Sequence, residues 1–246
     1  MTALDLYDEI GRGYSSQRRS DARIAARIWA ALGDAHTILN VGAGAGSYEP
    51  PDREVTAVEP SAVMRAQRPA DAAPCIDGSA EALAFADGSF DAAMAVLSDH
   101  HWDDRPRGLR ELRRVARERV VVFTWDPSFA DAFWLTRDYL PGFKRLPGMS
   151  IEEIMQCIRG TRIEPVPIPH DCRDGFYHAY WRRPAAYLDE QVRAGISVFA
   201  RLQDDECAHA TRRLRLDLQT GAWMRRNAAL LDLEEVDFGY RLLVGE

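Results

Sequence analysis

The sequence contains almost no lysine and no excess of positive charge. Its 246 residues include a single lysine, Lys144, and the formal net charge is −7. An acidic chain is a poor electrostatic partner for nucleic acid or for an anionic membrane surface. The composition therefore argues against nucleic-acid and membrane partners and favours a small-molecule partner. It leaves open whether the chain is a monomer or a dimer.

Long apolar runs and paired cysteine motifs are also absent. No run reaches the roughly 18 apolar residues that a membrane span needs. The first nine residues carry three acidic side chains, which argues against a secretory signal peptide. The four cysteines form no C-x-x-C pair, so we expect free thiols in a reducing compartment. These absences predict a cytoplasmic protein.

The first half of the chain alternates between strand and helix patterns. Ile24, Ile28 and Leu32 form one apolar helical stripe, and Leu109, Leu112 and Val115 indicate a second helix. Short apolar runs predict five strands, at residues 37–41, 55–58, 74–76, 90–97 and 120–125. Strands that alternate with helices predict an α/β fold with a parallel sheet.

The pattern changes after Trp125. Residues 183–202 and 206–226 are predicted to be helical, residues 163–168 are a possible strand, and residues 236–244 are predicted to form a closing strand. We therefore predict a single domain with four parts. These are an N-terminal helical cap (1–35), a ligand-binding core (36–125), a mostly helical insertion that caps the substrate (126–232) and the closing strand (233–246).

Aromatic residues are concentrated near the start of the predicted insertion. Ten of the 23 aromatic residues lie between Trp125 and Trp181. They can form a small hydrophobic core for the inserted helices, or they can line an apolar substrate pocket. Both interpretations can hold for different members of the group.

A glycine-rich motif follows the first predicted strand. Residues 40–46 read N-V-G-A-G-A-G, and glycines at this spacing allow a sharp turn and close approach of the backbone to a ligand. The N–H groups of a helix expected after the motif would suit a polar or anionic group. Glu59 ends the second strand, where its carboxylate can accept hydrogen bonds from two ribose hydroxyls. Ser79, Ala80 and Glu81 follow the third strand, where an adenine ring would lie.

Two other nucleotide motifs fit less well. A dinucleotide fingerprint of the form G-x-G-x-x-G requires glycine at position 47, where this chain has Ser47. No Gly-Lys-Ser/Thr sequence is present, which excludes a P-loop.

The G-x-G-x-G motif with an acidic residue at the end of strand two resembles the class I S-adenosylmethionine-dependent methyltransferases. Residues 79–91, S-A-E-A-L-A-F-A-D-G-S-F-D, are similar to the D-A-E-A-L-P-F-P-D-G-S-F-D segment of small-molecule members. The resemblance covers residues 36–125. It implies a Rossmann-like seven-stranded sheet with a helical cap, and S-adenosyl-L-methionine as cofactor. The implied cofactor-binding residues are Tyr14, Arg18, Asn40, Gly42, Ala43, Gly44, Gly46, Glu59, Pro60, Met64, Gly78, Ser79, Ala80, Glu81, Leu97 and Ser98.

Two of these residues depart from the family pattern, and two come from a separate N-terminal match. Asn40 stands where an acidic residue is common, and Ser79 replaces an aspartate that often bonds the adenine amino group. Tyr14-x-x-x-Arg18 resembles a Y-x-x-x-R segment whose arginine meets the methionine carboxylate of the cofactor. The alternative for Arg18 is the solvated start of a basic helix.

The end of the fourth strand carries two histidines. His100 and His101 are candidate general bases, because the resemblance places this edge beside the reacting methyl group and histidine titrates near neutral pH. A base is needed only when the acceptor must lose a proton. The alternative is that the His-Trp step packs the start of the next helix. The absence of Asn-Pro-Pro-Tyr, and of a cysteine after strands four or five, argues against amide, adenine or covalent pyrimidine chemistry.

A second polar cluster lies at residues 170–174, H-D-C-R-D. Adjacent side chains point in different directions, so we predict no metal site here and interpret the segment as a turn that lines the substrate cavity. The predicted substrate-pocket residues are Trp102, Trp134, Asp171, Asp174 and Phe176.

Together these features predict a methyltransferase that acts on a small organic acceptor in bacterial secondary metabolism. One alternative is a non-catalytic S-adenosylmethionine-binding protein, and another is a NAD(P)-dependent oxidoreductase. The negative net charge disfavours an RNA methyltransferase.

Overall fold

The fold is built on one mixed β-sheet. The computed structural model describes residues 18–145 and 148–246, so the predicted site residue Tyr14 lies outside the described residues. The strands in that part of the chain are β1 (Thr37–Val41), β2 (Glu54–Val58), β3 (Cys75–Ile76), β4 (Phe90–Val96), β5 (Ala116–Trp125), β6 (Gly160–Pro165), β7 (Ile168–Pro169), β8 (Glu235–Val236) and β9 (Tyr240–Gly245).

Seven of these strands form the central sheet, in the order β3-β2-β1-β4-β5-β9-β6. The first five strands pair in parallel, while β9 runs antiparallel to both β5 and β6. The predicted seven-stranded α/β fold is therefore confirmed. The strand order reverses between β1 and β4, and ligands of such sheets bind at the carboxyl ends of the strands beside this reversal.

Helices cover both faces of the sheet. They are α1 (Ala22–Ala31), α2 (Ala62–Arg65), α3 (Arg105–Val115), α4 (Trp134–Asp138), α5 (Ile151–Ile158), α6 (Glu190–Ala194), α7 (Ser197–Arg201), α8 (Asp204–Gln219) and α9 (Ala222–Arg226). The predicted stripe of α1 is confirmed, because Ile24 and Ile28 are buried and the N-cap Asp21 accepts a hydrogen bond from the Arg23 N–H. No helix of the described residues has the length and apolar character needed to cross a membrane.

The helix expected directly after the glycine motif is absent, and that prediction was wrong. Residues 42–53 form turns and bends instead. Gly42, Gly44 and Gly46 have φ values of +68°, +53° and +94°, and Tyr48 has a φ of +66°. A right-handed helix cannot contain such repeated left-handed residues, so the turn continues until β2 begins.

The two long helices predicted in the second half are each interrupted. Residues 183–202 divide into a 3-10 turn at Pro184–Leu188 followed by α6 and α7, because Asp189 caps α6 and Gly195 follows its end. Residues 206–226 divide into α8 and α9 at Gly221, whose φ of +72° breaks the helix.

The predicted insertion at residues 126–232 also needs correction, because part of it belongs to the sheet. Strand β6 pairs with β9 at the sheet edge. Ile154 and Ile158 of α5 are buried in the same cluster as Leu109 and Leu112 of α3. The segments outside the sheet layer are therefore 126–145 and 166–232, separated by α5 and β6.

Candidate functional site

Two adjoining cavities lie at the carboxyl ends of β1, β2, β4 and β5. The small cavity, of about 110 Å³, is bounded by the glycine turn after β1, the end of β2 and the segment after β4. The large cavity, of about 370 Å³, lies between the ends of β4 and β5 and the segments outside the sheet layer. Three residues, Arg18, Leu97 and His101, contribute to both walls, so the cavities meet there.

The small cavity gathers most of the predicted cofactor-binding residues. Its wall includes Arg18, Asn40, Gly42, Ala43, Gly44, Glu59, Pro60, Met64, Leu97 and Ser98. Five other described residues of that prediction are not in the wall, namely Gly46, Gly78, Ser79, Ala80 and Glu81. The predicted adenine residues instead bond to their neighbours: Ser79 bonds to Glu81, and Glu81 accepts the Asp104 N–H at 3.2 Å.

The glycine turn passes very close to the segment after β4. A Cβ atom on Gly42 would lie 2.6 Å from the Ser98 Cβ, so no larger residue fits there without displacing the backbone. The Ser98 hydroxyl donates to the Val41 carbonyl at 2.9 Å and fixes the two strand ends together. The Gly42 N–H donates to the Val58 carbonyl at 2.9 Å. Glycine is therefore required here by space as well as by its positive φ.

Glu59 is the central acidic group of the small cavity. It is 7% exposed, and its two oxygens accept the N–H groups of Gly44 and Ser61, each at 2.9 Å. Burial raises the pKa of Glu59, and the two backbone hydrogen bonds oppose that shift. A carboxylate has about four acceptor positions, so two remain for ligand hydroxyls.

The contacts of Asn40 explain why an asparagine, rather than the acidic residue common in the family, stands at this position. Its Nδ2 atom donates to Glu49 Oε1 at 3.0 Å, and Arg68 Nη2 lies 2.8 Å from both oxygens of Glu49. All three side chains are buried or nearly so. An aspartate at position 40 would place a second carboxylate against Glu49, whereas the asparagine amide supplies a donor. Glu49 and Arg68 were not among the predicted site residues.

Arg18 lines the site, and a buried ion pair fixes its side chain there. Its Nε atom donates to Asp174 Oδ1 at 2.5 Å, and the Tyr48 hydroxyl donates to Asp174 Oδ2 at 2.8 Å. Asp174 is 1% exposed and does not line either cavity. The prediction that Asp174 faces substrate is therefore corrected, since its carboxylate is occupied by Arg18 and Tyr48.

The other predicted substrate residues divide between several places. Phe176 lines the large cavity, whereas Trp102 lines the small one. Asp171 is 58% exposed and pairs with Arg23 at 2.8 Å, away from both cavities. Trp134 is buried in an aromatic core, where its indole N–H donates to the Trp181 carbonyl at 2.8 Å.

The aromatic residues divide between a buried core and the wall of the large cavity. One group packs into a buried core, which includes Phe133, Trp134, Trp181, Tyr187, Trp223 and Phe238. The other group lines the large cavity and consists of Trp125, Phe143, Phe176, Tyr177 and Tyr240. Their position relative to the sheet edge decides between these roles, and aromatic content alone cannot reveal it.

The segment after β4 holds a buried carboxylate behind the histidines. Asp99 is fully buried and accepts a hydrogen bond from Arg105 Nε at 2.9 Å. The Thr124 hydroxyl also donates to it, at 3.3 Å. Burial would raise the pKa of Asp99, but the charge of Arg105 and the neighbouring His100 hold it at about 2. Asp99 is therefore ionised at neutral pH.

His100 faces the large cavity, and 36% of its side chain is exposed. Its Nδ1 atom lies 3.9 Å from Asp99 Oδ1, an oxygen that has no hydrogen-bond partner among the described residues. Burial lowers the pKa of His100 although Asp99 opposes the shift, so the ring is neutral at pH 7. With Nδ1 turned towards Asp99, Nε2 is the nitrogen available to accept a proton.

His101 is more constrained than His100. Its Nδ1 atom accepts a hydrogen bond from Arg201 Nη2 at 2.8 Å, and burial together with nearby cations lowers its pKa well below 6.5. A neutral ring that accepts at Nδ1 carries its proton on Nε2, so neither nitrogen is ready to take a proton. Arg201 lies in α7, and no sequence motif could have linked it to His101.

No cluster of three or more potential metal ligands occurs within residues 18–145 and 148–246. Cys172 and Asp174 of the polar segment are buried, while Asp171 pairs with Arg23 at the surface.

Comparisons with known proteins agree with this geometry. A family model described as a methyltransferase domain matches residues 39–124. A candidate methyltransferase from an antibiotic biosynthesis pathway of Anabaena variabilis shares 33% identity over 94% of this chain and 99% of its own, with a TM-score of 0.84. No curated protein matches the chain.

More distant structures share the fold only. A candidate histamine N-methyltransferase of Thermotoga maritima is 21% identical, over 67% of this chain and 85% of its own, with a TM-score of 0.53. Geranyl diphosphate C-methyltransferase from Streptomyces coelicolor is 15% identical, over 92% of this chain and 80% of its own, with a TM-score of 0.52. The relative from Anabaena variabilis and the family model, rather than these distant structures, favour methyl transfer over the NAD(P)-dependent alternative.

Proposed function

Because this chain belongs to the class I S-adenosylmethionine-dependent methyltransferases, we propose that it transfers a methyl group from S-adenosyl-L-methionine to a small organic acceptor. The observation that carries the proposal is the position of Glu59. Its buried carboxylate ends β2, is bonded to the glycine turn and faces the small cavity. That arrangement suits the two hydroxyls of a ribose.

The residues of the small cavity fit this cofactor. The glycine turn leaves a cradle in which a Cβ atom on Gly44 would lie 3.3 Å from Met64 Cε, so a side chain there would fill the space. Glu59 would hold the ribose. Arg18 lines this cavity and would donate to the cofactor's carboxylate in addition to its pair with Asp174, because a guanidinium has five N–H donors. The adenine positions Gly78, Ser79, Ala80 and Glu81 remain part of the proposal, as does Tyr14.

When bound, S-adenosyl-L-methionine supplies an electrophilic methyl group attached to a sulfonium. The chain's own contribution is then to align the acceptor and to exclude water. Two segments, 126–145 and 166–232, would align the acceptor and exclude water, because they cover the large cavity. Phe143, Tyr177 and Ile196 of these segments line that cavity. We therefore assign the acceptor to the large cavity and these two segments to the substrate cap.

His100 is the stronger of the two candidate bases. It is neutral at pH 7, it faces the acceptor cavity, and the ionised Asp99 lies behind its Nδ1 atom. An acceptor hydroxyl or ammonium would lose its proton to His100 Nε2, and Asp99 would stabilise the resulting imidazolium. An acceptor with a free lone pair and no proton to lose requires alignment alone.

Isothermal titration calorimetry tests the proposal directly. We expect S-adenosylhomocysteine and S-adenosyl-L-methionine to bind the purified protein in the low-micromolar range, about −7 to −8 kcal/mol, and NADH to show no heat. Gly44→Val should abolish both cofactor signals while the thermal unfolding transition persists. Binding of NADH without either sulfur compound would overturn the assignment. Cofactor binding without turnover on a wide acceptor panel would favour a non-catalytic binding protein.

The close relative from an antibiotic biosynthesis pathway supports a place in bacterial secondary metabolism. We extend that role to this chain as part of the proposal. Acceptor assays should therefore test compounds related to antibiotic biosynthesis first and primary metabolites afterwards.

A further inference from the structure

Three arginines are found among the described residues that line the large cavity, and two of them are already neutralised. Arg18 pairs with Asp174 at 2.5 Å, and Arg105 donates to Asp99 through Nε at 2.9 Å. The third, Arg201, donates to the neutral ring of His101 at 2.8 Å. No carboxylate among the described residues forms an ion pair with Arg201, so its charge is uncompensated within the part of the chain that the structure describes.

The acidic side chain in the described wall does not cancel this charge. Asp131 lines the large cavity, but it has an interaction of its own with another group and makes no ion pair with Arg201. His100 and His178 add no positive charge at neutral pH, because burial lowers the pKa of both. A guanidinium in such a setting is a binding group for an anion.

The remainder of the wall is largely aromatic and suits a flat, apolar ligand group such as a ring. Phe143 and Tyr177 stack with ring centroids 5.0 Å apart, and Trp125, Phe176 and Tyr240 extend this aromatic surface. Arg201 bonds to His101, which lines both cavities. The cationic group therefore lies at the end of the large cavity that meets the small one.

The number of charges selects the kind of anion. Among the described residues of the wall, Arg201 is the one uncompensated cation, and it balances one negative charge. Its planar N–H groups match the two oxygens of a carboxylate. A diphosphate would need further cations or a divalent metal, and the described residues hold no metal-ligand cluster.

We propose that the methyl acceptor is an aromatic monocarboxylate whose carboxylate binds Arg201 while its ring packs among the aromatic residues of the large cavity. The inference rests on the proposed function, since it identifies the substrate class of that same site. A guanidinium has five N–H donors, so Arg201 can hold a carboxylate without releasing His101.

The experiment uses the full-length protein saturated with S-adenosylhomocysteine. Four probes each carry one phenyl ring. 3-Phenylpropanoate, its neutral amide and 3-phenylpropylamine share one chain length and differ in charge, and phenyl phosphate carries a phosphate directly on the ring. Binding is followed by quenching of tryptophan fluorescence, since Trp125 lines the cavity. We expect 3-phenylpropanoate to bind at least tenfold more tightly than the amide and than phenyl phosphate, and the amine to bind most weakly.

Arg201→Gln is the decisive variant, because glutamine is polar but carries no charge. It should reduce affinity for 3-phenylpropanoate to that of the amide, while amide affinity and S-adenosylhomocysteine affinity stay unchanged. Arg212→Gln removes the same charge from an exposed position on α8 and should change none of these values.

The outcomes separate the two proposals. Failure of wild-type protein to bind S-adenosylhomocysteine contradicts the proposed function, whatever the probes do. With that binding intact, equal affinity for carboxylate and amide, or an unchanged carboxylate affinity in Arg201→Gln, overturns the carboxylate inference. Preference for the amine would point to Asp131 instead, and preference for phenyl phosphate would point to a phosphate acceptor. Either result also overturns the inference.

Discussion

Asn40→Asp restores the residue type that is common at this position in the family, and we expect it to destabilise this protein. In the structure the asparagine amide donates to Glu49 at 3.0 Å, within a buried cluster completed by Arg68. The substitution replaces a donor by a second carboxylate. Losing a hydrogen bond to a charged group and leaving that charge less well satisfied costs about 2–3 kcal/mol of unfolding free energy.

Thermal unfolding measures this change. For a chain of this size about 1 kcal/mol corresponds to roughly 2–4 °C, so the midpoint at pH 7.5 should fall by about 4–12 °C. The loss should shrink as pH falls towards 4, because the introduced carboxyl group, once protonated, can again donate to Glu49. Asn40→Ala removes the donor without adding charge and should show a smaller loss that does not vary with pH in this way.

A double mutant identifies the partner. Asn40→Asp combined with Glu49→Gln places a donor opposite the new carboxylate, so the double mutant should recover part of the stability lost in Asn40→Asp. An Asn40→Asp protein as stable as wild type at pH 7.5, or one whose stability is indifferent to Glu49→Gln, would refute the electrostatic explanation of this asparagine.

Three further outcomes are expected. Glu59→Ala should weaken S-adenosylhomocysteine binding by about 30- to 150-fold, or 2–3 kcal/mol, in calorimetry, because the ribose hydroxyls lose a charged acceptor. For an acceptor that loses a proton, His100→Ala should lower turnover by about 10²–10⁴ without changing cofactor affinity, and the acidic limb of the pH–rate profile should disappear; an unchanged profile would exclude His100 as the base. The pKa of Asp99 is held at about 2, below its ordinary 3.8, so the folded protein binds fewer protons there than the unfolded chain. The resulting stability is complete above about pH 5 and is lost as pH falls towards 2, so Asp99→Asn should flatten acid unfolding over that window.

The sequence was most informative where physical constraints are local. The strands near the glycine motif were predicted correctly, because short apolar runs bounded by glycine are characteristic of buried parallel strands. The helix expected after the motif failed, since its backbone is determined by successive positive φ values at residues 42–48. Nothing in the pattern of residue types distinguishes that turn from a helix start.

Contacts between residues that are far apart in the sequence could not be predicted from local patterns either. The sequence predicts Asp174 as a polar residue of a turn that lines the substrate cavity, yet its carboxylate is bonded to Arg18 and Tyr48. The sequence gives no signal for Arg201, since its importance comes from its hydrogen bond to His101, a hundred positions earlier. Side chains that meet only through the tertiary fold carry no local spacing signal.

The pairing of β5 with β9 has a consequence for how the protein folds. The small cavity is built almost entirely from β1, β2, β4 and the turns that follow them, which are close together in sequence. The large cavity needs Trp125 opposite Tyr240, a contact between distant segments. Since contacts of long sequence separation form slowly, we expect a refolding chain to regain the small cavity, the proposed cofactor site, before the large cavity forms. Cofactor binding in such a chain would precede competence for turnover, and the delay between the two would report the closure of the sheet.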